Sequence, residues 1–281
     1  MAFEEVILTK QDRIATITLN RPQKMNALTY RMFEEILTAI DEVHKDRSIR
    51  VLVLAGAGEA FCAGGDFKFA ELKEHKIGLQ QAEDIWVQIK AADPPGQLFN
   101  IVQKVIFGLL HLDKPAIAMI KGDVVGGGFG LSLACDMRVG AHNARFLIGY
   151  PRLGFVPDFG EAWTLPRVVG LGKALEIVMG CEFINAEEAY RIGLLNRLVA
   201  VEELENETRR LAQSIMRIPP ITQRMIKQQM YGALESDYRS SLLFSVACSH
   251  LAMAAKDQHE AINAFAEHRT PIYKDTPLFE D

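Results

Sequence analysis

Two short stretches near the start of the chain, 4–10 (EEVILTK) and 13–19 (RIATITL), are rich in β-branched residues. They predict two strands around a turn at Lys10–Gln11–Asp12. Asn20-Arg21-Pro22 breaks the second strand. Over 29–45 the period changes. Met32, Phe33, Ile36, Leu37, Ile40 and Val43 recur at helical spacing, and Thr29 is placed to cap that helix. Residues 50–55 (RVLVLA) predict a buried strand, bounded by Gly56 and Gly58.

The stretch 68–112 reads as long and mostly helical, interrupted at Asp93-Pro94-Pro95-Gly96. AIAMIKG predicts a strand, and GDVVGGGFGLSLACD a glycine turn running into an apolar helix. Strands MRVGA and RFLIG follow. The loop GYPRLGFVPDFGEA leads to helices over 160–169 and 172–179. Asn185 caps a helix in INAEEAYRIGL, LNRLVA is a strand, and the chain beyond Val201 is nearly all helix to about 268. Alternation of β-rich units with helices predicts an α/β core over 1–200 and a helical region over 201–281.

The composition fits a soluble globular protein: 281 residues, 49% apolar and 24% charged. A net charge of −5 favours neither nucleic acid nor an anionic membrane. An anionic ligand would therefore need local positive charge and main-chain N–H groups. Cys62, Cys135, Cys181 and Cys248 form no CxxC pair and no zinc spacing with histidine. They read as reduced, buried cysteines of a cytoplasmic protein. The start, MAFEEVILTK, is acidic and lacks a signal-like apolar segment, and no apolar run reaches the ~18–20 residues of a membrane span. His44, His75, His111, His142, His250 and His259 read as surface or helix-packing residues, and no metal site is expected.

Two glycine turns carry candidate chemistry. The first is Ala60-Phe61-Cys62-Ala63-Gly64-Gly65-Asp66, and the second runs from Gly122 to Gly130. Each lies between a strand and a helix. Small residues ahead of a helix leave N–H groups unobstructed, where the helix dipole adds positive potential. Two such turns facing one point make an oxyanion hole. The GxGxxG spacing of a dinucleotide site is absent, and no Gly-Lys-Ser/Thr marks a P-loop.

FCAGGD followed some sixty residues later by KGDVVGGGFGLSLACD resembles the crotonase (enoyl-CoA hydratase/isomerase) superfamily. The resemblance continues through NRPQKMNAL, GYPRLGFVPDFGEAWTLPRVVG, AEEAYRIGLLNRLV and HEAINAFAEHRTPIYKD, which together span nearly the whole chain. It implies a crotonase-type ββα superhelix with a C-terminal helical trimerisation region, assembled as a homotrimer or a dimer of trimers. It implies an acyl-CoA substrate, coenzyme A being part of that substrate and no separate cofactor being needed. It places the oxyanion donors at the N–H groups of Ala63 and Gly127. It assigns substrate contacts to Lys24, Met25, Ala27, Ala63, Gly64, Asp66, Phe67, Lys68, Gly127, Tyr150 and Phe265. His268 replaces the lysine of the family's C-terminal Ala-Phe-x-Glu-Lys-Arg pattern, a weaker ligand for phosphate.

Hydratases of the superfamily use two carboxylates, and this chain has Gly130 and Tyr150 at those positions. Glycine moves no proton, and a tyrosine of pKa ~10 is a poor base at neutral pH. Ordinary 2-enoyl-CoA hydration is therefore expected to be slow or absent. Asp158, directly after Gly154-Phe155-Val156-Pro157, stands where the superfamily's isomerases place an acid. The segment is most similar to that of 1,2-epoxyphenylacetyl-CoA isomerases. Asp158 also precedes helix 160–169, where it could serve as a cap. Glu161 reads as a surface acid suited to the helix dipole, and Tyr150 as a pocket residue able to donate a hydrogen bond.

Three functions remain open from the sequence. One is an enoyl-CoA isomerase, for double bonds or ring epoxides, with Asp158 as acid/base. Another is a hydratase or hydrolase of an unusual cyclic or aromatic CoA thioester. The third is a non-catalytic acyl-CoA-binding scaffold.

Overall fold

The structure, a computed structural model, describes residues 3–66 and 97–274. Phe67, Lys68 and the interruption at 93–96 lie outside the described residues, as does most of the 68–112 stretch.

The chain starts as a hairpin, β1 (Val6–Gln11) and β2 (Ile14–Leu19), paired antiparallel. Helix α1 (Tyr30–Lys45) follows, and Thr29 caps it by accepting from the Met32 N–H at 3.0 Å. Next come β3 (Val51–Gly56), α2 (Gln97–Leu110) and β4 (Ala116–Ile120). The glycine segment forms β5 (Asp123–Val125) and α3 (Gly127–Ala134). Strands β6 (Met137–Ala141) and β7 (Arg145–Leu147) lead to α4 (Glu161–Val169) and α5 (Leu171–Gly180). Short β8 (Ile184–Asn185), α6 (Ala186–Arg191) and β9 (Arg197–Val199) complete the strand-bearing part. Helices α7 (Leu204–Ile215), α8 (Pro220–Ala233), α9 (Tyr238–Ala254) and α10 (Asp257–Ala266) follow.

The main sheet has the order β1-β2-β3-β4-β6-β9, parallel from β2 onward. A second sheet orders β5-β7-β8. Strand β3 is buried along its whole length because both faces of the main sheet are covered. Leu52 and Leu54 join one core with α1, α2 and α3. Val51 and Val53 point the other way, into a smaller core with Leu204, Leu211 and Ala212 of α7. Polar ties reinforce the helical layer: Arg50 Nε donates to Gln223 Oε1 at 3.0 Å, and Lys227 Nζ meets Asp136 Oδ2 at 2.9 Å.

All four cysteines are free and buried, and burial pushes the Cys62 and Cys135 thiols up to about 12. Such thiols are poor nucleophiles. No helix among the described residues is long and apolar enough to cross a membrane. Among the same residues, no group of three or more His, Cys, Asp or Glu is placed to hold a metal ion.

Candidate active site

The two glycine turns lie against each other. Cys62 bridges Val124 in parallel register: its N–H donates to the Asp123 carbonyl at 3.1 Å, and its carbonyl accepts from Val125 at 2.9 Å. Gly64, at φ +88°, is so close that a Cβ there would stand 2.9 Å from the Val125 carbonyl oxygen and 3.7 Å from the Gly127 nitrogen. A left-handed residue with no room for a side chain has to be glycine.

A third segment clamps the first turn. Asn26 is fully buried at φ 55°, a conformation asparagine tolerates. Its Nδ2 donates to the carbonyls of Ala57 and Ala60, each at 2.8 Å, and its Oδ1 accepts from the Arg21 N–H at 2.9 Å. Arg21 in turn pairs with Asp66 at 2.8 Å. Asp66 thus has a partner within the fold, while Lys24 and Met25 are exposed and Ala27 is buried.

This clamp engages one of the two expected donors. The Ala63 N–H is committed to the Met25 carbonyl at 2.9 Å. The next residues bracket Leu28: its N–H donates to Gly64 O at 2.7 Å, and its carbonyl accepts from Asp66 N at 2.8 Å. That pairing leaves the Gly65 N–H on the opposite side, and Gly65 is exposed. On the other turn, the bonds of α3 begin with Phe129 and Gly130, which both donate to Gly126 O. The Gly127 and Gly128 N–H groups precede them at the positive end of the helix.

Helix α3 is built from GGFGLSLA, a poor helix former on propensity. Its glycines are dictated by close neighbours. A Cβ on Gly127 would meet Phe159 Cζ at 2.6 Å and Leu28 Cδ1 at 3.0 Å, and one on Gly128 would meet Cys62 Cβ at 2.6 Å. A Cβ on Gly130 would overlap Phe159 and stand 3.0 Å from Glu161 Oε1.

Glu161 is therefore not the surface acid expected from sequence. It is 1% exposed. The Tyr150 hydroxyl donates to its Oε1 at 2.5 Å, and the Phe159 N–H donates to its Oε2 at 2.8 Å. Tyr150 lies with its ring edge against Gly126. Desolvation holds the Glu161 carboxyl above the usual range, against the Tyr150 bond and main-chain N–H groups, and the Asp158 charge adds to the rise. Burial also keeps Tyr150 a neutral phenol, with the Glu161 charge acting the same way.

Asp158 is not a helix cap. Gly160 occupies the cap of α4 at φ 82°, with no side-chain hydrogen bond. Asp158 is exposed by surface area, yet protein atoms around its carboxyl still raise it above the usual range, opposed by its own N–H. Among the described residues no side chain pairs with it. Phe265, by contrast, stands on α10 and is 84% exposed.

The family model for enoyl-CoA hydratase/isomerase matches residues 9–276. The chain belongs to that family. It is 34% identical to a short-chain-enoyl-CoA hydratase of Clostridium acetobutylicum over 273 residues, 96% of this chain and 97% of that one. It is 29% identical to the 1,2-epoxyphenylacetyl-CoA isomerase of Escherichia coli, over 96% of this chain and 98% of that one. The crystal structure of an enoyl-CoA hydratase from Bacillus anthracis superposes with a TM-score of 0.85 at 29% identity, covering 97% of this chain and all of that one. The α/β fold is thus the crotonase fold, and the chain is an enzyme of this family rather than a bare scaffold. Resemblance to the epoxide isomerase is one likeness among several.

Proposed function

We propose that this enzyme is an enoyl-CoA isomerase in which Gly65 and Gly127 N–H groups hold the thioester oxygen and Asp158 moves the proton. The observation that carries the reading is Asp158: a carboxylate beside α4 that neither caps the helix nor pairs with a described side chain. A proton next to a thioester carbonyl is too weakly acidic for an unaided carboxylate. Two N–H donors change this because they bind the enolate oxygen more strongly than the ground-state carbonyl. Asp158 takes the proton from C2, the double bond shifts, and Asp158 returns the proton at C4. A carboxyl raised by desolvation is a stronger base for the first step. The same carboxylate and oxyanion donors also suit ring-epoxide thioesters. The test is 3-enoyl-CoA turnover by Asp158→Asn. A loss of ~10²-fold or more with unchanged acyl-CoA binding is expected, and wild-type turnover would overturn the reading.

A second reading, water addition to a 2-enoyl thioester, is supported by the buried second carboxylate of Glu161 and by the hydratase relative.

Assembly into a trimer or a dimer of trimers accompanies either reading. Leu242, Leu243, Phe244, Val246, Leu251 and Met253 of α9 are all exposed in the single chain, more apolar surface than a helix leaves in water without cause. Sedimentation as a monomer at micromolar concentration would contradict it.

A further inference from the structure

Tyr150 and Glu161 are joined in a way that neither a pocket lining nor a helix-dipole acid requires. Glu161 is buried under Phe159, with its Oε1 against the face of α3 that carries Gly130. Gly130 lies one turn after Gly127, so the carboxylate sits on the same face of the helix as the Gly127 position. Tyr150 is only half-buried. Its ring edge packs on Gly126, and its hydroxyl ends on Glu161. The phenol thus links the edge of the glycine turn to a carboxylate otherwise cut off from solvent.

We propose that Tyr150 and Glu161 form a second proton-handling unit of this site, through which a water beside α3 is activated for addition to a 2-enoyl thioester. Tyr150 is the group that meets the water, and Glu161 acts through it as a positioning and proton-accepting residue. The water oxygen bonds to C3. The C2–C3 π pair shifts to C1–C2, and the carbonyl pair moves onto the thioester oxygen. The water's proton goes to the Tyr150 oxygen as the Tyr150 proton goes to Glu161. The enolate then takes a proton at C2 from the Asp158 carboxyl. Glu161 ends protonated and Asp158 ionised, and a proton exchanged between them restores the site. The groups acting on the Glu161 carboxyl are Tyr150, the Phe159 N–H, its own N–H and Asp158. Water addition, left without a second acid by Gly130, acquires one from a different helix.

The inference rests on the enolate reading of the two turns, which 3-enoyl-CoA turnover in Asp158→Asn tests separately. Its own test uses the full chain as wild type, Glu161→Gln and Tyr150→Phe. Gln keeps the size and one accepting oxygen but takes no proton, and Phe keeps the ring over Gly126. Hydration of crotonyl-CoA and isomerisation of a 3-enoyl-CoA are followed between pH 5 and 9. Wild type is expected to hydrate, and both variants are expected to lose hydration kcat by ~10²-fold or more. Isomerisation, whose proton moves through Asp158, should fall by less than hydration in both variants, so the ratio of the two rates is the readout. The acid limb of the hydration profile should vanish in Glu161→Gln. No hydration by wild type would overturn the proposal. So would a folded variant that keeps wild-type hydration and its acid limb, or one that loses both reactions equally. If Glu161→Gln does not fold, Tyr150→Phe decides.

Discussion

Phe159 occupies the space above Gly130. A Cβ on Gly130 would overlap the Cβ of Phe159 and crowd its Cγ at 3.1 Å. The glycine at this point of α3 is therefore matched to a neighbour on the loop before α4. Gly130→Ala is expected to destabilise by ~1–3 kcal/mol, the usual range for overpacking. In a Phe159→Gly background, which removes the overlapping Cβ, the same change should cost clearly less, because alanine is also the better helix former by ~1 kcal/mol. Chemical denaturation of the four proteins gives the coupling. Additive effects would show that Phe159 does not dictate the glycine.

Asn26 holds two chain segments together from a position where no side-chain partner is involved. Asn26→Ala leaves the Ala57 and Ala60 carbonyls and the Arg21 N–H without their bonds. A loss of ~2–3 kcal/mol is expected, the cost of unsatisfied buried polar groups. Because the same latch sets the first glycine turn, catalysis should fall even at temperatures where the variant is folded. Wild-type activity per folded molecule would separate the latch from the turn.

Local periodicity makes the strands and most helices legible, because each depends on neighbours within a few residues. Thr29 and Asn185 are readable as caps for the same reason, and both accept the expected N–H. Asn26 is not, since its partners are main-chain carbonyls more than thirty residues away. Ala63 and Gly65 cannot be told apart in the sequence because Gly64, at φ +88°, turns the chain between them. Glu161 reads wrongly as a surface residue because an acid in a first helical turn looks the same whether it faces water or core. A usable signal is present: Glu161, Thr164 and Leu165 follow i, i+3, i+4 spacing, and all three are buried.

Glu161 should also leave a mark on stability against pH. Its folded pKa is raised, chiefly by desolvation. A raised carboxyl contributes stability that is complete below the unfolded value of ~4.3 and is lost as pH rises through the folded value. Every tenfold gain in the carboxyl's proton affinity on folding corresponds to ~1.4 kcal/mol. Asp158 is raised as well and acts in the same direction. Glu161→Gln removes one of these titrations. The variant's melting temperature relative to wild type is therefore expected to rise between pH 4 and pH 8. A difference that stays flat over that range would mean that the carboxyl ionises in the fold as easily as in the unfolded chain.

The last prediction separates the two N–H groups of the first glycine turn. The Ala63 N–H bonds to Met25 O, so Ala63→Pro removes a structural bond. The Gly65 N–H lies on the opposite side of the segment that brackets Leu28. Gly65→Pro removes that donor while leaving Asp66 N and Gly64 O to hold Leu28. Losing one oxyanion donor typically costs ~10²–10³-fold in kcat. Such a loss is expected in Gly65→Pro for 3-enoyl-CoA and 2-enoyl-CoA alike, because both reactions pass through the same enolate. Binding of a saturated acyl-CoA should change far less, since the donors act mainly once charge has moved to the oxygen. Ala63→Pro should instead lower the melting temperature, with activity following the folded fraction. If Ala63→Pro were stable and inactive while Gly65→Pro kept full turnover, the donor would be Ala63, and the Met25 bond would have to open during catalysis.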